Sequence, residues 1–98
     1  MQFLLRIVVT WPPDGDPDEL ERRVAAEHDR SQELAAAGTL KRVWRIPGQW
    51  ANWSIWEGPD ATSIHEAVTS LPMWPYLDVE VHPLARHPND PGASDEQA

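Results

Sequence analysis

Cysteine is absent from all 98 residues. That excludes disulfides, thiolate metal sites and a cysteine nucleophile. It also suits a reducing compartment, so the cytoplasm is the expected location. Basic residues are scarce, 8 Lys and Arg against 16 Asp and Glu, for a formal net charge of −8. Nucleic acid needs clustered Lys and Arg, and an anionic membrane surface needs them too, so neither is an expected partner. Long apolar runs are missing. The opening "MQFLLRIVV" has no basic leader and carries Arg6 within it, so it reads as a strand, not as a signal peptide or membrane span. There is no GxSxG, no P-loop and no GxGxxG. The four His, at 28, 65, 82 and 87, lack HxH or HxxxH spacing, so no metal site is expected.

What is present is enough for one domain with a small core, 41% of the residues being apolar. Six Trp residues favour core, interface or pocket positions. Gln2 to Trp11 reads as a strand ended by Pro12-Pro13. Asp16-Pro17-Asp18-Glu19 has the form of a helix start, with an N-cap, a proline and acids in the first turn; the helix runs to about Ala37 and Gly38 stops it. "TLKRVWRI" and "WANWSIWEG" form a hairpin around Pro47-Gly48, Asp60 caps a second helix from Ala61 to Leu71, and "YLDVEVHPLA" is the last strand. The order βαββαβ predicts an α+β, ferredoxin-like fold: a four-stranded antiparallel sheet with two helices on one face. The domain is expected to span residues 1–88, followed by an acidic, disordered tail over 89–98. Strand one is apolar on both sides, with Phe3, Leu5, Ile7 and Val9 on one and Leu4, Arg6 and Val8 on the other. Such a strand needs cover on both sides, which predicts a homo-oligomer.

In the first helix, Leu20, Val24, Ser31 and Leu34 share one stripe at about 100° per residue. Glu27 falls inside that stripe, while Asp29 and Glu33 point away. A buried carboxylate is costly unless paired or protonated, and desolvation raises its proton affinity toward that of a general base. Two readings follow. Glu27 is either a proton carrier or one half of a structural ion pair with Arg6, Arg42 or Arg45. Ser31, in the same stripe, points to a polar pocket.

On the second hairpin strand, alternation places Asn52, Ser54 and Trp56 on one face. Asn52 and Ser54 could bond a substrate oxygen, or form a polar face at a subunit contact. Arg45 could grip a carboxylate with its two-pronged guanidinium, or pair with an acid such as Glu57. His28, at the flank of the inner stripe, is either a second proton carrier or a half-exposed, inert residue.

The stretches "WRIPGQWANWS", "LPMWPYLDVEV" and "LARHP" resemble the muconolactone isomerase family, and the likeness extends over about residues 1 to 88. It implies a ferredoxin-like domain assembled as a decamer. It implies an enzyme without cofactor that converts muconolactone to 3-oxoadipate enol-lactone in the catechol branch of the 3-oxoadipate pathway. Glu27 matches the family's helix-one glutamate and so takes the role of proton shuttle. Asn52, Ser54 or Arg45 would face the developing oxyanion, and Arg6 or Arg45 the substrate's acetate side chain. This chain departs from the family in carrying His28 where relatives carry Lys, Leu4 where a relative is polar, and Trp at 53, 56 and 74 in place of Tyr or Phe. Three rivals share the scaffold: a dehalogenase acting on chloromuconolactone, a small cofactor-free monooxygenase, and a non-catalytic binding protein.

Overall fold

The computed structural model describes residues 1–93, so the end of the expected tail, residues 94–98, lies outside the described residues. The elements are β1 (Gln2–Val9), α1 (Pro17–Ala36), β2 (Leu40–Arg45), β3 (Ala51–Glu57), α2 (Ala61–Thr69), a 3-10 turn (Trp74–Tyr76) and β4 (Leu77–Leu84). The sheet runs β2-β3-β1-β4 with every pairing antiparallel, which is the expected ferredoxin-like α+β arrangement. Each helix is a crossover between two strands that a third separates. No helix among the described residues is long and apolar enough to cross a membrane.

Local chemistry sets the helix ends. The Asp16 carboxylate accepts from the Asp18 N–H at 3.0 Å and Pro17 opens the first turn, as the sequence predicts. At the other end Gly38, at φ +82°, lets the Thr39 N–H reach the Leu34 carbonyl at 2.9 Å and the Gly38 N–H reach that of Ala35 at 3.0 Å. This pair of bonds is a Schellman stop. Asp60 caps α2 through the Ser63 N–H and hydroxyl, both at 2.8 Å, and those bonds hold its carboxyl below the ordinary value. Helix α2 ends two residues before the predicted Leu71, because Ser70 caps it and Leu71 turns into the core.

Phe3, Leu5 and Ile7 of β1 stand opposite Trp56, Ser54 and Asn52 of β3, so these six share the face that carries the helices. The core forms there from Phe3, Leu5, Ile7 and Trp56, with Ile64 and Val68 of α2, Leu34 of α1, and Leu71. Leu4, Arg6 and Val8 occupy the other face, beside Trp53 and Ile55 of β3 and Asp78, Glu80 and His82 of β4. On that face the exposed Trp44 and Trp53 lie opposite one another. Of the six Trp, only Trp56 joins the buried core.

Candidate active site

Glu27 is half-buried beneath α1, where the wheel places it, but the stripe around it is less covered than expected. Leu34 is buried, Leu20 is half-buried, and Val24 is 45% exposed. The reason is a cleft between α1 and the sheet. Two cavities, of about 130 and about 160 Å3, share Glu27, Val9 and Asn52 as walls. Ser31 and Ser54 line the first, and Arg45 and Met73 line the second. A larger groove of about 710 Å3 lies at the opposite end of β1, around Met1, Gln2 and Glu57, and contains none of these groups.

Among the described residues Glu27 makes no ion pair. Its one hydrogen bond is accepted by Oε1 from the Met73 N–H, at 3.3 Å. Arg6, Arg42 and Arg45 all leave it free, so the ion-pair reading of the sequence does not hold. Burial pushes the Glu27 carboxyl above its ordinary value, and the Met73 N–H pulls it back in part. A carboxylate in that state holds a proton more readily than an exposed one, which suits it to take a proton and give it up again.

Across the cleft, β3 supplies two polar groups on one face. Ser54 is 1% exposed, and its Oγ accepts from the Trp56 indole N–H at 2.8 Å. That bond occupies an acceptor site and leaves the hydroxyl proton available as a donor. Asn52 Oδ1 is buried with no hydrogen-bond partner among the described residues. Leaving a buried amide oxygen unpaired costs about 1–3 kcal/mol, a cost that a ligand or water in the cleft would relieve.

Arg45 stands opposite Asn52 in the ladder, so it shares the helix-bearing face and lines the outer cavity. Glu57, its possible structural partner, pairs instead with Lys41 at 3.2 Å. The structure therefore brings Glu27, Asn52, Ser54 and Arg45 together. It does not bring Arg6, which lies on the opposite face between Trp53 and Glu80 in the register. Nor does it bring His28, which is exposed and lines neither cavity, one residue being enough to turn it about 100° away from Glu27. Two contributors carry no direct sequence signal: the Met73 N–H, because any residue has one, and the Trp56 indole. The latter was within reach, since Trp56 lies two residues from Ser54 on the same strand face.

The model of the muconolactone delta-isomerase family matches residues 1–90. The chain belongs to the muconolactone delta-isomerase family. A muconolactone delta-isomerase of Pseudomonas aeruginosa is 38% identical over 95 residues, covering 97% of this chain and 99% of that protein. One from Rhodococcus opacus is 39% identical over 88 residues, covering 90% and 95%. A crystal structure of muconolactone isomerase superposes with a TM-score of 0.89 at 36% identity, covering 97% of this chain and 99% of the other. Family membership thus extends over all the elements that build the Glu27 cleft.

Proposed function

We propose that this chain is a muconolactone delta-isomerase, converting muconolactone to 3-oxoadipate enol-lactone in aromatic catabolism. The observation that carries this reading is a half-buried Glu27, without an ion pair among the described residues, in a cleft that also presents Ser54, Asn52 and Arg45. The reaction moves one proton and one double bond and changes no oxidation state. It calls for a base and for charge stabilisation, and for no electron carrier.

Glu27 takes the proton from the ring carbon that bears the acetate side chain. The electron pair spreads through the ring double bond onto the lactone carbonyl oxygen as a dienolate. Glu27, now protonated, returns the proton to the carbon next to that carbonyl, and the double bond ends one position along the ring. A single carboxylate serves both steps if the proton stays on one face of the ring. The Ser54 hydroxyl and the Asn52 side-chain NH2 donate to the dienolate oxygen more strongly than to the neutral carbonyl, which lowers the barrier. Arg45 holds the acetate carboxylate at the mouth.

The same family scaffold supports three further elements of the proposal. A second copy of the chain covers the open sheet face in a high-order homo-oligomer, with a decamer as the expected size; the exposed Trp44 and Trp53 on that face support it. The folded unit ends near residue 88, and the acidic segment after it acts as a tail. The cysteine-free sequence fits the cytoplasm.

The test is the ultraviolet assay of purified protein with muconolactone, wild type beside Glu27→Gln. We expect turnover by the wild type and a loss of at least about a hundredfold in the variant. Full activity in Glu27→Gln would remove the residue from its role. Chloride released from a chlorinated lactone, without isomerase activity, would favour the dehalogenase instead.

A further inference from the structure

Helix α1 meets the segment between α2 and β4 through a row of polar side chains. Arg23, Glu27 and Arg30 are four and three residues apart and share one helix face. Arg30 Nε donates to Ser70 Oγ at 3.0 Å, Arg23 Nη1 donates to the Pro72 carbonyl at 2.8 Å, and Glu27 accepts from the Met73 N–H. Two of these three contacts fall on one peptide unit. The Pro72 carbonyl and the Met73 N–H belong to the same planar group. That group is trans, so they point to opposite sides. Arg23 holds one end of it and Glu27 the other.

Arg23 is itself held from several directions. Its Nε donates to Glu19 Oε1 at 3.0 Å, and its guanidinium carbon lies 5.2 Å from the centroid of the Tyr76 ring. These contacts fix the fork in one orientation. A charged donor on the carbonyl oxygen polarises the peptide and makes its N–H a stronger donor. It also stops the peptide plane from turning away from Glu27.

We propose that Arg23 is a positioning residue for the isomerisation, acting on Glu27 through the Pro72–Met73 peptide to fix the orientation of its carboxylate and favour the ionised form. The proposal rests on the reading of Glu27 as the proton carrier. Loss of Arg23 weakens the one contact that opposes desolvation of Glu27, and removes a cation one helical turn away. Both changes shift Glu27 titration to higher pH. The other charged or titratable groups near it are Arg45 from β2, and Arg30 and His28 on α1 itself. The parts of β1, β3 and the Leu71–Leu77 segment that line the cleft carry no titratable side chain.

The experiment compares the full-length wild type with Arg23→Met, Arg23→Lys and Arg30→Met. One readout needs no substrate: the 13C titration of the Glu27 carboxyl by NMR, assigned with Glu27→Gln. The other is kcat and KM for muconolactone across pH. Arg23→Met is expected to move the Glu27 midpoint and the acid limb of kcat/KM upward together. Its kcat should fall about tenfold to a hundredfold with little change in KM, the loss typical of a misplaced reacting group. Arg23→Lys, which keeps the charge but has a single donor nitrogen in place of the fork, should recover part of both. Arg30→Met removes a cation from the same seam without touching the peptide, and should move the midpoint clearly less than Arg23→Met does. An unmoved midpoint in folded Arg23→Met would overturn the proposal, even if the variant melted earlier. So would an equal shift in Arg30→Met, because charge alone would then explain it. A wild type inactive on muconolactone whose midpoint still follows this pattern would sink the substrate assignment and leave the peptide clamp standing.

Discussion

Helix α2, with 9 residues, buries Ile64 and Val68 on the sheet, whereas α1, with 20, buries only Leu34. Both lie on the same sheet face. Under α2, Ile64 and Val68 join Phe3, Leu5 and Trp56 in the core, and the cavity of about 270 Å3 between α2 and β4 is lined by apolar side chains and His65, with no carboxylate. Over the Glu27 cleft, α1 is attached by hydrogen bonds between Arg23, Glu27 and Arg30 and residues 70–73, donated by the two arginines and accepted by Glu27. Dispersion falls off within fractions of an ångström, so an apolar helix must touch what it packs on. Hydrogen bonds to a neighbouring segment let a helix stand off from the sheet. One half of the sheet face therefore carries stability, and the other half carries an accessible carboxylate.

The sharpest way to test this division is to damage each half separately. Ile64→Ala should cost about 2–5 kcal/mol in urea-induced unfolding, as truncations in well-packed cores do, while folded molecules keep their KM. A cost below about 1 kcal/mol would mean that the α2 half is no more tightly packed than the α1 half. Asn52→Leu, close in volume, should lower kcat by about a hundredfold, the usual cost of losing one oxyanion donor, with the fold intact. An unchanged kcat would assign that task to Ser54 alone. Arg45→Met should raise KM for muconolactone by about tenfold to a hundredfold and alter kcat less, since a charged hydrogen bond lost from binding is worth about 1.5–3 kcal/mol.

The smallest effect concerns stability at the site itself. Burial raises the proton affinity of Glu27 in the folded state, so folding disfavours its charged form. Below the ordinary carboxylate range both states are protonated and the penalty vanishes. It is complete once pH has risen through the elevated folded value. Glu27→Gln should therefore melt slightly higher than the wild type at about pH 8 and together with it at about pH 3. The opposite ordering at the higher pH would mean that Glu27 is held by a partner and that the α1 half is not a functional cleft.

Much of this arrangement was legible before any coordinates. Asp16-Pro17, Asp60, Gly38 and Pro47-Gly48 act through their own backbone chemistry, so the element order followed from short stretches. Period-two alternation placed Asn52 and Ser54 on one strand face, and the helical wheel turned Glu27 inward. Arg6 shows where such reasoning stops. Both sides of β1 are apolar enough to be covered, so alternation separated Arg6 from Phe3 and Leu5 without telling which side carries the helices. His28 lies outside the cleft for a related reason, because a flank position on a wheel becomes buried or exposed according to how closely the helix is docked.

The sequence by itself determined the βαββαβ order, the family, and the presence of one carboxylate on the inner stripe of α1, because these depend on local caps, periodicity and motif. Only the tertiary structure decided that Glu27 has no ion pair among the described residues and that Arg45, not Arg6, shares its cleft. It alone showed that the peptide between Pro72 and Met73 links Arg23 to the carboxylate. Those facts depend on how far α1 stands from the sheet and on contacts between residues more than forty positions apart in the chain. Neither property has a local signature, since each is set by the competition of all the packed elements for the same surface.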